Sequence, residues 1–326
     1  MAEAKKEWHW RPEGPVRNSD VFVWPPRPVA AVKWLASYWL ALSPMVLFLL
    51  LGIVSYFYLV PAEARWATFQ IGWVAQLFAK NFIFLTCFAG ALQLYFYTFS
   101  KQAKKLKFEE RGLATKNRNF YWGSQVLDNM FWSLGSGVMT WTAYEALYLW
   151  SYANGYVPRM AFADNPIWYA ALFVIIPIWS SLHFYWIHRL LHWPPLYRFA
   201  HSLHHRNINI GPWSGISMHP LEHLLYFSSV ILHFVVASSP IHVLYHLTYM
   251  ALSPAASHSG YDGLLVNDKK QVELGDFFHQ LHHRYFECNY GTIEMPWDKW
   301  FGSFHDGTPE ATDMVRERRR KMHGQG

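Results

Sequence analysis

The chain has 326 residues, 52% of them apolar and 19% aromatic, with only 15% charged and a formal net charge of +6. An ordinary soluble domain carries about a quarter charged residues, so the composition argues against that class and for a membrane protein, whose two wet interfaces also suit 18 Trp, 19 Tyr and 24 Phe. The two cysteines, Cys87 and Cys288, are too few for a disulfide framework or a thiolate metal site. Residues 1–33 are polar and proline-rich and lack the apolar core of a cleavable signal peptide. A span needs about 20 predominantly apolar residues, and Trp34 to Val60 meets that without one Asp, Glu, Lys or Arg. Trp66 to Ser100 is a second span, broken only by Lys80 and Asn81, and residues 123–149 make a third that carries Asp128 and Glu145. Pro166 to Ile187 makes a fourth and runs straight into His188. Leu221 to Ala237 and Pro240 to Ala256 are each short for a span and meet at Ser238-Ser239-Pro240, which predicts a hairpin that dips into the bilayer and returns.

The expected fold class is therefore all-α: an integral membrane bundle of about four transmembrane helices, a re-entrant helical hairpin and a cytosolic-facing, histidine-rich helical cap. The expected divisions are 1–33, a polar segment; 34–164, three spans with a basic loop at 101–118; 165–307, a catalytic domain; and 308–326, a basic tail. Basic residues flanking spans favour the cytoplasmic side. Six lie between Lys5 and Lys33, seven between Lys101 and Arg118, and the tail reads RERRRK, whereas the two intervening loops hold only Arg65 and Arg159. Four spans then put both termini and everything after Ile187 in the cytoplasm, in the endoplasmic reticulum of a eukaryote or the inner membrane of a bacterium. The basic tail reads as a solvated end near anionic headgroups, with no nucleic acid partner. Oligomeric state is not legible.

The histidines converge on that same face. His188 and His192 stand four apart at the end of the fourth span, one above the other on a helix. Pro194-Pro195 ends that helix. A new one presents His201, His204 and His205, with adjacent His204 and His205 diverging enough to serve two neighbouring ions. HQLHH repeats the pattern as His279, His282 and His283. His258 in HSGYD is a further ligand candidate. In HPLEH, His219 and His223 are candidate ligands or partners of ligands, and Glu222 is an imidazole partner or an oxygen ligand. His183, about 7.5 Å deeper along the helix than His188, reads as a substrate-channel or packing residue. The HVLYH pair His242 and His246 reads as core or interfacial, and His9, His233, His305 and His323 as structural. Eight imidazoles exceed what one ion holds, so two ions follow, but imidazole suits zinc, copper, iron and nickel alike.

HRLLH, HSLHH, HPLEH, HSGYD and HQLHH, followed by NYG (289–291) and WDKWFGSF (297–304), resemble the motif set of the fatty acid hydroxylase and sterol desaturase superfamily of integral-membrane di-iron enzymes. The likeness covers roughly residues 165–307. It implies iron ligands at His188, His192, His201, His204, His205, His279, His282 and His283, with His258 a ninth. It also implies two iron ions, replaceable by zinc in purified protein, and dioxygen as co-substrate. Electrons would come from a separate donor of cytochrome b5 or ferredoxin type with its reductase, since no haem or flavin motif is present. The implied reaction is hydroxylation or desaturation of a lipid C–H bond in a sterol, sphingoid base, fatty acyl or alkyl-glycerol chain, and HSGYD leans toward sterols. A zinc-dependent membrane hydrolase or metal transporter is the competing reading.

Overall fold

The computed structural model describes residues 8–39 and 43–322; Lys5, Lys6 and His323 lie outside the described residues. It is mostly helical. The first predicted span is two helices rather than one, α1 (Pro28–Trp39) and α2 (Pro44–Val54). Ser43 Oγ accepts from Val46 N, and Pro44 fills the first turn of α2, where its missing N–H breaks no bond. A π-helical turn carries α2 on to Leu59, about 24 Å in all, short of a hydrocarbon core of about 30 Å.

Two helices among the described residues are long and apolar enough to cross a membrane. One is α3 (Ile71–Gln93), extended by a π turn to Thr98 for 28 residues. The third predicted span is α4 (Gln125–Trp132) and α5 (Val138–Ala153), joined by a π turn over Ser133–Gly137. It is helical but not uniformly apolar, and its carboxylates are buried and paired, Asp128 with Arg206 and Glu145 with Lys80 of α3. The second long helix is α6 (Pro166–Leu191), 26 residues capped by the Asn165 side chain on Trp168 N.

Beyond α6 the chain builds the cap. The turns α7 (Pro194–Leu196) and α8 (Ser202–His205) flank a π turn, Tyr197–His201. The predicted hairpin is α9 (Pro220–Phe227) and α10 (Leu232–Val235), then α11 (Pro240–Ser257). α11 is buried along nearly its whole length against α2, α3, α5 and α6. An evenly apolar helix is enclosed by others, so this arm is the centre of the bundle. α2 reaches it at Gly52, where a Cβ would stand 2.7 Å from the Cα of Tyr245.

The cap closes with α12 (Phe277–Tyr285), α13 (Trp297–Trp300) and α14 (Pro309–Met322). Between α11 and α12 lies an antiparallel hairpin outside the expected all-α class, β1 (Gly263–Val266) and β2 (Lys269–Glu273). Its two turn residues, Asn267 and Asp268, both have positive φ, 51° and 60°, the geometry whose twist suits a two-residue turn. Trp8, Phe108, Phe277, Leu281, Tyr285 and Val315 form a small separate core that ties α12 and α14 to the amino-terminal segment.

Candidate metal centre

Five elements bring nine imidazoles together, with His201 supplied by the π turn Tyr197–His201. α6 continues past its last apolar turn, so His188 ends inside the cap with His192 as C-cap. Pro194-Pro195 restart the chain, and α8 presents His204 and His205 on different sides of a short helix. The C-cap of α11 is His258. α12, capped by Asp276 on Phe278 N, presents His279, His282 and His283.

The side chains form two groups, within each of which the nitrogens lie within 4.8 Å of one another. One is His188, His192, His201, His205 and His282; the other is His204, His258, His279 and His283. Each HxxHH motif contributes its adjacent pair one to each group, which couples the two centres through a single peptide bond at each motif.

The nitrogens that face inward can be identified from what their ring partners do. Nδ1 of His188 donates to Tyr290 O (2.7 Å), that of His282 to Cys288 O (2.6 Å) and that of His258 to Pro254 O (2.9 Å). Nδ1 of His204 faces Ser217 O at 3.4 Å, and that of His201 faces Glu222 Oε1 at 2.7 Å. Such outer partners fix the tautomer and leave the lone pair on Nε2. Nε2 of His205 lies 3.2 Å from Nε2 of His192 and 3.0 Å from Nε2 of His282, and His201 to His192 is also 3.2 Å. In the other group Nε2 of His258 and His283 are 3.1 Å apart.

Lone pairs that close repel unless a cation lies between them. Metal–nitrogen bonds of about 2.1 Å place neighbouring ligands roughly 3.0–3.4 Å apart in octahedral or tetrahedral sites, which is the spacing here. Nε2 of His188, buried and without a protein partner, completes the fit to a metal ion. Burial, reinforced by neighbouring imidazoles, holds His201, His205, His279, His282 and His283 well below the usual histidine range, and burial holds His204 at about 4. These side chains are neutral near pH 7, the form that ligates.

The remaining candidates separate. Glu222 contacts His201 through Oε1, while its buried Oε2 has no protein partner and borders a narrow cleft with Phe184, Met218 and Tyr226. His223 donates from Nε2 to Ile216 O (2.9 Å) and meets Ser136 Oγ through Nδ1 (3.1 Å), so neither nitrogen is left for a metal. His219 accepts from Leu221 N at the start of α9 and packs edge-to-face against Phe199, outside both groups. His183 meets Ser228 Oγ at the end of α9 (3.0 Å) and is not among the residues lining that cleft. His242 and His246 are core residues, the first bonded to Ser239 N and Tyr169 O, the second to Ser180, Ser229 and His233. His305 is buried and bonded to Gly307 N, a structural position.

The orienting carbonyls of Tyr290, Cys288, Ser217 and Pro254 have no side-chain signature and were not legible. Asp298, inside WDKW, positions one of them by accepting from Tyr290 N (2.8 Å), Gly291 N (2.7 Å) and Ser303 Oγ (2.6 Å).

The fold and site define a helical protein with a buried, paired histidine cage suited to two metal ions. Over residues 173–303 the chain matches the family model described as fatty acid hydroxylase. It is 30% identical to the Delta(7)-sterol 5(6)-desaturase ERG3B of Gibberella zeae over 49% of this chain and 49% of that protein. The Saccharomyces cerevisiae Delta(7)-sterol 5(6)-desaturase ERG3 is 32% identical over 37% of this chain and 32% of that protein. The Nicotiana tabacum Delta(7)-sterol-C5(6)-desaturase is 27% identical over 55% and 67%. The chain thus spans about half the length of the first of these relatives and less of the second. No solved structure matches it significantly.

Proposed function

We propose that the protein is a membrane oxidoreductase that uses two iron ions, dioxygen and electrons from a separate donor to hydroxylate or desaturate a lipid C–H bond. A sterol is the favoured lipid, by the names of the relatives. The observation that carries the reading is the division of nine imidazoles, eight of them buried, into two groups to which adjacent residues contribute. When bound, the ions supply the activation of dioxygen that an unreactive C–H bond requires. The chain's own residues do the rest. His188, His192, His201, His205 and His282 would hold one ion, and His204, His258, His279 and His283 the other. The carbonyls of Tyr290, Cys288, Ser217 and Pro254 and the Glu222 carboxylate keep the rings aimed. Phe184, Met218 and Tyr226 exclude water from a cleft that borders His188, His201 and His204, and so touches both groups. α3 and α6 are the membrane anchors in this reading, with the cap on the cytoplasmic side, where a soluble electron donor has access.

The test is lipid mass spectrometry of cells expressing the wild type or His282→Ala under isotopically heavy dioxygen. A heavy-oxygen lipid made only by the wild type identifies a hydroxylase, and a product lighter by two hydrogens identifies a desaturase. Histidine-dependent turnover that proceeds without oxygen would sink the oxygenase reading in favour of a zinc hydrolase.

A further inference from the structure

The five-histidine group approaches the surface at one place. His192 alone of the nine imidazoles is half-buried. Tyr197 and Phe286 cover that place, Tyr197 with its ring 5.6 Å from His192 and 5.7 Å from His205, Phe286 with its ring 4.9 Å from His205. Above Phe286, at 5.4 Å, lies the guanidinium of Arg319 on α14. A single aromatic ring therefore separates a surface cation from a member of the group.

Phe286 is held there against its backbone preference. Its φ is 70° and ψ −52°, and Glu287 N donates to Tyr285 O at 2.9 Å, which closes a γ-turn of the rare, strained hand. Glycine would take this conformation freely, and a bulky residue persists in it where the surroundings require that side chain.

The surrounding charge is basic. Arg316, Arg318, Arg319 and Arg320 are exposed on α14, and Arg198 is exposed beside Tyr197. The acids nearby are Asp313, 3.7 Å from Arg316; Glu317, bonded to Lys321; and Glu287, bonded to Tyr290. In the other basic segment, the 101–118 loop, Lys104, Lys105 and Arg111 pair with Glu110, Asp268 and Glu109.

We propose that the basic face of α14, which lies over Tyr197 and Phe286, is the docking site of an acidic one-electron carrier, and that electrons pass from the carrier to the five-histidine group through Phe286 beneath it. The inference rests on the oxygenase reading. In that reading two reduced carriers are each oxidised by one electron per turnover. Two electrons, two protons, dioxygen and a C–H bond give an alcohol and one water, or two adjacent C–H bonds give an alkene and two waters. A carrier that must leave after each electron suits a small, charge-steered contact rather than a large apolar one.

The experiment uses the full chain in neutral-lipid nanodiscs with two probes, an acidic [2Fe–2S] ferredoxin and an acidic soluble cytochrome b5 domain. Carrier Kd is read on metal-free and metal-loaded protein, and metal reduction is read in stopped flow with carrier or with dithionite. Arg319→Glu is expected to weaken Kd about tenfold at low salt and flatten its salt dependence. Phe286→Gly, which relaxes the turn, is expected to leave Kd unchanged and to slow reduction by docked carrier about tenfold or more, while dithionite reduces every variant at the wild-type rate. Lys104→Glu/Lys105→Glu is expected to change nothing. An Arg319→Glu protein with wild-type Kd, or a Phe286→Gly protein reduced by carrier at the wild-type rate, would overturn the proposal. So would carrier binding that appears only with anionic lipid and ignores Arg319→Glu, which would assign the arginines to headgroups. If Arg319-dependent binding stands while metal-loaded protein consumes no oxygen with any lipid, the oxygenase reading fails and the docking face survives.

Discussion

Glu222 Oε1 stands 2.7 Å from Nδ1 of His201, both side chains buried, and the contact turns the His201 lone pair toward the five-histidine group. Partners of this kind are worth about 10–100-fold in metal affinity. Glu222→Ala is expected to weaken metal retention by about that factor in a competitive chelator titration. Glu222→Gln, whose carbonyl can still accept from Nδ1, should weaken it less. An Ala variant that holds metal as tightly as the wild type would refute the orienting role.

His282 and His283 are adjacent, yet they serve different groups. His282→Ala and His283→Ala should each bring bound metal down to about half of the wild-type content, and the double variant should bring it near zero. Elemental analysis checks this directly. Stripping metal from the wild type should also lower Tm, since an ion bound only by the native state stabilises it.

Asp298 accepts from Tyr290 N and Gly291 N, and so fixes the peptide whose carbonyl orients His188. Asp298→Asn exchanges one acceptor oxygen for an NH2 group, which leaves one of those donors facing another donor. The expected cost is roughly 1–3 kcal/mol of stability, with metal affinity falling in parallel although Asp298 touches no imidazole of the cage. Unchanged metal affinity in a destabilised variant would limit Asp298 to a folding role.

Lys80 of α3 pairs with Glu145 of α5 in the buried bundle, and Asn81 donates to the same carboxylate at 2.8 Å. Removing one partner leaves a buried charge, so Lys80→Met should cost about 3–5 kcal/mol, while Lys80→Met/Glu145→Leu should recover most of that loss. Thermal unfolding of the three proteins in detergent checks it. A double variant as unstable as the single one would show that the polar cluster is needed as a whole.

Much of this was legible. The apolar lengths of α3 and α6 and the histidine spacings are local properties, so counting residues finds them, and HxxHH already implied that adjacent imidazoles diverge. The break at Ser43-Pro44 was also signalled, by a cap residue followed by proline, but hydropathy alone ran across it. The β-hairpin was not expected, although Asn267-Asp268 between two short runs is the signal that could have found it. The enclosure of α11 was hidden, because a membrane-facing helix and a fully packed one are equally apolar; its packing against α2, α3, α5 and α6, as where Gly52 meets Tyr245, tells them apart.

Helical character, stretches apolar enough for a membrane and the set of available imidazoles all follow from the order of the residues. Only the tertiary structure decided that they divide five and four, that His219 and His223 stand outside, and which carbonyls aim the rings. The physical reason is that ligand type and helical period are carried by side chains within a few residues of one another. The position of a lone pair depends on its ring's partners, such as Glu222, Ser217 and Tyr290, which other segments of the chain supply from 13 to 102 residues away.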